Sequence, residues 1–132
     1  MAGVDRLLLD THALIWAWTG DPRLSDVARV ALENPANEVF ISPASVWEMR
    51  TKSRLGRLAG IPPIPEAFAD LIRQSDFRVL DITWRHAYSA AAFEAAHQDP
   101  FDRMLAAQSC LEGLSLVTND AALRSFPISV IW

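Results

Sequence analysis

The chain has 132 residues, of which 51% are hydrophobic and 21% are charged, and its formal net charge is −4. This length suits one domain spanning residues 1–132, and the hydrophobic fraction is large enough for a buried core. No apolar run approaches the ~20 residues that a membrane-spanning helix needs, and the N-terminus lacks the order of a signal peptide, so we expect a cytoplasmic protein with no membrane partner. The single cysteine, Cys110, excludes an internal disulfide and a cysteine-based zinc site, and we expect it to be buried.

The first half of the chain alternates apolar strands with helices. Ser42 and Pro43 mark a helix start, because serine is a preferred cap and proline is tolerated at the first helical position. Pro35 and Gly56 end helices, since neither residue continues a helix well. The predicted elements are a strand at Arg6–Leu9, a helix at Thr11–Trp18, a helix from Ser25 to Asn34, a strand at Glu38–Ile41 and a helix from Pro43 to Gly56.

The second half continues this alternation. Asp99 caps a helix that opens with Pro100, and Gly113 follows it in the usual C-terminal glycine position. The predicted elements are helices at Pro65–Ser75, Trp84–Ala96 and Pro100–Glu112, strands at Arg78–Ile82 and Ser115–Thr118, a helical turn at Ala121–Arg124 and a candidate edge strand at Ile128–Ile131. Strands that alternate with helices predict an α/β fold with a central parallel sheet of four to five strands.

Four acidic residues lie near the places where predicted strands end and helices begin. Asp10 ends the first strand, Asp120 closes the fourth, Glu48 lies seven residues beyond the second, and Asp102 lies in the first turn of a helix. The C-terminal ends of parallel strands meet at one edge of a sheet, where ligands bind. Two carboxylates ~5 Å apart repel each other by roughly 3 kcal/mol at an effective dielectric of ~20. A cluster of four therefore requires a divalent cation or bound protons.

Each acid also has an ordinary structural interpretation. Asp10 and Asp120 could cap the helices after them, Glu48 could be a solvated helix residue, and Asp102 could form a near capping box with Asp99.

A cluster of Asp and Glu suits Mg²⁺, or Mn²⁺ as the alternative, because both ions favour oxygen ligands. Such ions activate water and stabilise the leaving oxygen in phosphodiester hydrolysis.

Four sequence blocks carry a resemblance to a known family. They are Leu8–Trp16, with its Asp-Thr-His start, then Ile41–Glu48, then His97–Gln108, with Asp-Pro-Phe-Asp-Arg, and finally Leu116–Asp120. In this order, and over nearly the whole chain, they resemble PIN-domain ribonucleases, and specifically the VapC-type toxins of bacterial type II toxin–antitoxin systems. The first and third blocks are specific together, although each alone is weak.

The resemblance implies a PIN-like three-layer sandwich and a metal-dependent endoribonuclease. It assigns catalysis to Asp10, Glu48, Asp102 and Asp120, and metal binding to Asp10, Asp102 and Asp120. The implied cofactor is Mg²⁺, with Mn²⁺ as the alternative. The implied partners are an RNA substrate, a cognate antitoxin and a second copy of the chain in a homodimer.

Further residues are predicted to contact the substrate, with a structural alternative for each. Basic residues just after Glu48 would hold RNA phosphates, or would simply be the favoured cations near a helix C-terminus. The threonines would hydrogen-bond a carboxylate or a metal-bound water, or cap helices. The predicted substrate-binding residues are Thr11, Arg50, Lys52, Arg103 and Thr118, with Arg54 and Arg57 completing the basic cluster.

Several other polar and aromatic residues are expected to be structural. We expect this of all three histidines, His12, His86 and His97, while Gln108 is expected to satisfy buried backbone groups. The five tryptophans are expected to be core or interface anchors. Apolar residues around Trp16, Trp18 and Leu24 would offer a groove to an antitoxin helix.

Two other functions remain open on the sequence. A non-catalytic binding module with a PIN-like fold would be signalled by the loss of an acid, but all four are present. An aspartyl-nucleophile phosphotransferase would use Asp10, but such enzymes usually carry a second Asp two residues later, where this chain has His12.

Overall fold

A computed structural model of the protein describes residues 5–61 and 65–132. Within these ranges, five strands alternate with six α-helices and one 3₁₀ turn. The strands are β1 (Arg6–Leu9), β2 (Glu38–Ile41), β3 (Arg78–Val79), β4 (Ser115–Val117) and β5 (Val130–Ile131). The helices are α1 (Thr11–Thr19), α2 (Asp26–Glu33), α3 (Pro43–Arg54), α4 (Glu66–Gln74), α5 (Trp84–Ala92) and α6 (Pro100–Glu112), and the 3₁₀ turn spans Ala121–Ser125.

The strands form one parallel sheet in the order β3-β2-β1-β4-β5, which confirms the predicted parallel sheet. The chain moves outward from β1 through β2 to β3 and then returns to the other side of β1 with β4. The strand order therefore reverses between β1 and β4, and open α/β sheets bind ligands beyond the strand ends at such a point. Leu9 pairs with Val117 in the register, so Asp10 and Thr118 leave the sheet side by side.

Two apolar layers cover opposite faces of this sheet. Leu7 and Leu9 pack in a cluster with residues of α1, whereas Leu8 packs in a second cluster with residues of α6. All three leucines are fully buried. Because successive strand residues point to opposite faces, one run of leucines supplies both layers. The result is the three-layer α/β sandwich that the sequence predicts.

Helix α5 is shorter than predicted, and a buried arginine explains the difference. It ends at Ala92, four residues before the predicted end at Ala96. The guanidinium group of Arg103 donates hydrogen bonds to backbone carbonyl oxygens at the end of α5 and in the segment after it. These bonds partner the last carbonyls of the helix and hold the next residues in a non-helical path. The acceptors are the carbonyls of Ala90 at 2.8 Å, Ala91 at 3.4 Å, Phe93 at 2.5 Å, Ala95 at 3.1 Å and His97 at 2.8 Å.

Strand β3 is also shorter than predicted, with two residues in place of five. Beyond it, Gln108 donates from Nε2 to the carbonyls of Leu80 at 3.1 Å and Asp81 at 3.5 Å. A side chain thus takes over the pairing that a longer strand would have supplied, and the predicted role of Gln108 is confirmed. Cys110 is exposed rather than buried, because it lies on the outward face of α6.

None of the helices within the two described ranges is long and apolar enough to cross a membrane.

Candidate active site

Asp10 is the first residue beyond β1, and it is buried beside the point of strand-order reversal. Its Oδ1 accepts a hydrogen bond of 2.7 Å from the backbone N–H of Ala13, so Asp10 also caps α1. Burial raises the pKa of Asp10, while hydrogen bonds from Thr118 and Ala13 act in the opposite direction and the negative charge of Glu48 raises the pKa further. The capping interpretation holds, but it does not explain the burial of a charged group.

Thr118 links Asp10 to a second acid, Asp120. The Thr118 side chain is hydrogen-bonded to the Asp10 carboxyl group, and its Oγ1 accepts a bond of 3.0 Å from the backbone N–H of Asp120. Asp120 is exposed and caps the 3₁₀ turn, with Oδ1 accepting from Ala122 at 2.9 Å. The two acids line an open hollow of about 270 Å³ together with His12, Trp16 and Asn119.

Glu48 approaches the same edge of the sheet from α3, and it is only 4% exposed. Thr11 Oγ1 lies 2.5 Å from Glu48 Oε1 and 3.1 Å from Ser45 Oγ. Because a threonine hydroxyl has one proton, Thr11 donates to the carboxylate and accepts from Ser45. Lys52, one turn further along α3, forms an ion pair with Glu48.

Asp102 lies in the first turn of α6 and pairs with a histidine. His97 Nε2 is 2.7 Å from Asp102 Oδ2. Burial raises the pKa of Asp102 to about 6, against the effect of the His97 hydrogen bond, and the charges of Asp99 and Glu48 raise it as well. Asp99 Oδ1 caps α6 by accepting from Phe101 at 2.9 Å and from Asp102 at 3.1 Å. The Asp102 carboxyl group faces His97 and is not the reciprocal member of a capping box.

The arrangement of these groups fits a divalent cation. One ligand atom each from His97, Asp102 and Asp120 lies within 4.8 Å of the other two. Opposite ligands of an octahedral Mg²⁺ are about 4.2 Å apart, so small side-chain movements would close the three around one ion. Asp10 joins this group through Thr118 and through the hollow that it shares with Asp120. The buried carboxyls whose pKa is raised are the groups that a cation would stabilise as anions.

Three of the predicted substrate-binding residues have their polar groups bonded within the protein. Arg103 is 9% exposed, and each of its five N–H groups has a backbone carbonyl as acceptor, so it has no donor for a phosphate. Thr11 and Thr118 are also buried, and both hydroxyls bond to carboxylates rather than reaching outward. These bonds hold the side chains of Asp10 and Glu48 and the backbone of His97 in place.

The basic cluster divides into two parts. Lys52 is half-buried, and burial acts to lower the pKa of its ammonium group. The hydrogen bond and charge of Glu48, together with the charges of Asp99 and Asp102, outweigh burial, so the pKa of Lys52 is raised. Its ammonium group therefore belongs to the acidic pocket. The guanidinium-bearing members, Arg50, Arg54 and Arg57, are exposed.

One residue beside the four acids, His97, was not predicted to lie in this pocket. It was expected to be structural, yet its imidazole contacts Asp102, and one of its ring nitrogens lies within 4.8 Å of ligand atoms of Asp102 and Asp120. The available signal was its position five residues before Asp102 in the same sequence block.

Comparison with known proteins identifies the class of this fold and site. The PIN domain family matches residues 7–128. The chain belongs to the PIN-domain family. Within it, the chain is similar to the protein named Ribonuclease VapC22 from Mycobacterium tuberculosis, with 32% identity over 121 residues that cover 90% of each chain.

Solved structures show the same fold at lower identity. VapBC2 from Rickettsia felis, bound to a DNA fragment, matches with a TM-score of 0.67 and 17% identity over 96% of this chain and 97% of that chain. A toxin–antitoxin complex from Klebsiella pneumoniae matches with a TM-score of 0.65 and 22% identity, covering 96% of both chains. FitAcB from Neisseria gonorrhoeae gives a TM-score of 0.62 with 20% identity and the same coverage.

Proposed function

We propose that the protein is a metal-dependent endoribonuclease and the toxin of a type II toxin–antitoxin pair, with residues 1–132 forming a single domain. The observation that supports this most is the convergence of Asp10, Glu48, Asp102 and Asp120 where the strand order reverses. Membership of the PIN-domain family and similarity to a named ribonuclease support RNA as the substrate.

Asp10, Asp102 and Asp120 would hold the ion, which we propose to be Mg²⁺, with Mn²⁺ as the alternative. When bound, the ion would make water more acidic and offset the charge of the phosphate. Without a cation, the negative charges of the carboxylates would repel a phosphate.

The residues around the acids would fix their orientation before RNA arrives. Thr118 holds Asp10, and Thr11 holds one oxygen of Glu48 while Lys52 pairs with the other. Glu48, buried and held on both sides, would orient the attacking water by accepting its hydrogen bond. Such preorganised contacts avoid the cost of rearranging the site during reaction.

Exposed arginines at the end of α3 would position the RNA. Arg50, Arg54 and Arg57 follow Glu48 along the chain and are free of the burial that restricts Lys52. Guanidinium groups suit phosphate because they can donate two parallel hydrogen bonds. Contacts to the phosphate backbone would hold the strand without selecting its sequence.

We also propose two protein partners, an antitoxin and a second copy of the chain. A groove of about 480 Å³ lies between α1 and α2, and it is lined by apolar residues, among them Trp16, Ala17, Leu24 and Phe77, and by the charged residues Asp21, Asp26, Arg29 and Glu33. This combination suits the two faces of an amphipathic antitoxin helix. For the homodimer, Trp84 and Tyr88 are 70% and 74% exposed and lie one turn apart on α5. Such a pair of aromatic side chains suits a symmetric contact.

The direct test is RNA cleavage by purified protein in Mg²⁺ or Mn²⁺ and in excess chelator. We expect cleavage only with metal, and we expect Asp10→Asn to abolish it while the fold is retained. Asp76→Asn is the matched control, because Asp76 is an exposed residue before β3. Full cleavage in chelator, or equal activity in Asp10→Asn, would show that this site is not responsible.

A further inference from the structure

His97 stands in the acidic pocket although it is not one of the four acids. Its imidazole nitrogen is 2.7 Å from a carboxylate oxygen of Asp102, and a nitrogen of the ring lies within 4.8 Å of a ligand atom of Asp120. The His97 side chain is 25% exposed, so it is neither a core histidine nor a freely solvated one.

The fold holds this imidazole in place through its own backbone. Arg103 Nη1 donates to the carbonyl of His97 at 2.8 Å, and the same guanidinium group fixes Phe93 and Ala95 in the preceding segment. The ring also packs edge-on against Phe126, with centroids 6.1 Å apart. A buried arginine thus presents His97 to Asp102 at the start of α6.

On the basis of the nuclease site proposed above, we propose that His97 is a ligand of the bound ion, with Asp102 and Asp120, and that it raises the affinity of the site for Mn²⁺ relative to Mg²⁺. The two groups that share a hydrogen bond here, His97 and Asp102, would both hold the cation when it is bound. The 4.8 Å spread of the three ligand atoms is close to the span across a divalent ion.

A nitrogen ligand changes which ion the pocket favours. Mg²⁺ is a hard cation that takes oxygen ligands and gives up its waters reluctantly. Imidazole suits transition metals better, and Mn²⁺ is the transition ion that also accepts carboxylates readily. A pocket with four carboxylates alone would suit either ion, so His97 is the residue that would distinguish Mn²⁺ from Mg²⁺.

The competing role for His97 is that of a positioning residue that only orients Asp102. Loss of a hydrogen-bond partner of a metal ligand typically reduces metal affinity by about 10- to 100-fold. A weaker affinity in a His97 variant would therefore fit both roles. The decisive readout is whether a nitrogen atom is bound directly to the ion.

The experiment is pulsed electron paramagnetic resonance on untagged protein loaded with Mn²⁺ in the absence of RNA, which detects ¹⁴N bound to the ion. We expect nitrogen coupling in the wild type and its loss in His97→Gln. The matched control is His12→Gln, because His12 is the other histidine near the acids, and this variant should keep the signal. Dissociation constants from the same samples should show the preference for Mn²⁺ over Mg²⁺ falling about tenfold in His97→Gln.

The other outcomes distinguish failure of the proposed role of His97 from failure of the proposed nuclease site. Mn²⁺ binding that depends on Asp102 but shows no nitrogen coupling, or coupling that disappears in His12→Gln instead, would overturn the role of His97 and leave the nuclease proposal intact. Mn²⁺ and Mg²⁺ binding that is unaffected by Asp102→Asn would overturn both. If His97→Gln does not fold, His97→Asn replaces it, and the His12→Gln comparison still decides which histidine is bound.

Discussion

Asp102 illustrates how burial and nearby charge set the chemistry of a single carboxyl group. Its position in the first turn of α6 would normally favour an anion, since helix N-termini carry partial positive charge. Burial and the charges of Asp99 and Glu48 outweigh that preference, and the pKa rises to about 6. The metal-free protein therefore carries an acid that costs stability when it ionises.

This acid predicts an unusual dependence of metal-free stability on pH. Between about pH 4 and pH 6, folded Asp102 keeps a proton that the unfolded chain has lost, so the free energy of unfolding should fall as pH rises through this window. After allowance for solvent screening, we expect a loss on the order of 1–2 kcal/mol. Urea unfolding in excess chelator at several pH values would measure it.

Asp102→Asn should remove this part of the pH dependence and raise metal-free stability near pH 7. Asp76→Asn, at an exposed position, should leave the dependence as it is in the wild type. Identical pH profiles for the wild type and Asp102→Asn would contradict the explanation.

The meeting of Asp10 and Asp120 could be predicted from the sequence, whereas Glu48 and Asp102 were assigned largely from the family resemblance. Asp10 directly follows a run of leucines, and Asp120 directly follows β4, so the parallel topology alone brings them together. The role of Arg103 could not be predicted, since its carbonyl partners become neighbours only when α5 and α6 pack. The contact between His97 and Asp102 could not be predicted for the same reason: the two residues are close in sequence, but the backbone of His97 is held by Arg103.

At the scale of elements, the segment between α5 and α6 is organised by one side chain. Its alanine-rich sequence favours continued helix, yet the helix ends at Ala92. Intrinsic preference contributes only tenths of a kcal/mol per residue, whereas hydrogen bonds to a charged group contribute about 1.5–3 kcal/mol each. The bonds from Arg103 therefore decide where α5 ends.

Arg103→Lys should destabilise the protein by about 2–4 kcal/mol, because a lysine has three donors on one atom and leaves buried carbonyls without partners. It should also weaken Mn²⁺ binding, since the backbone of His97 would no longer be held. Arg124→Lys, on the exposed side of the 3₁₀ turn, is the control. Unfolding midpoints and metal titrations would measure both effects. A loss below about 0.5 kcal/mol would show that the segment does not depend on these bonds.

At the scale of the whole molecule, the active site and the proposed antitoxin groove share an element. Helix α1 begins at the cap formed by Asp10, and further along it Trp16 and Ala17 line the groove. Trp16 also lines the hollow beside Asp10 and Asp120. A partner helix in the groove would therefore lie close enough for a following arginine or lysine to enter the acidic pocket, where it would compete with metal.

Ala17→Arg should weaken binding of the antitoxin by at least about tenfold, because a bulky charge would enter the apolar part of the groove beside Trp16 and Leu24. RNA cleavage by the free protein should be unchanged. Ala69→Arg, at an exposed position on α4, is the control. Co-purification with the product of the adjacent small gene, followed by a competition assay, would measure the change. Equal binding by both variants would place the antitoxin elsewhere.

The ends of the cleavage products would show whether the four acids perform the proposed metal-assisted attack of water on an RNA phosphodiester. An end-labelled RNA, incubated with wild type and with Asp102→Asn, is compared with the same RNA carrying a 2′-deoxy nucleotide at the cleavage position. We predict linear phosphate ends, cleavage of both RNAs by the wild type in Mn²⁺ or Mg²⁺, and no cleavage by Asp102→Asn. A 2′,3′-cyclic phosphate, or cleavage that requires the 2′-hydroxyl and persists in chelator, would contradict the metal-assisted attack of water.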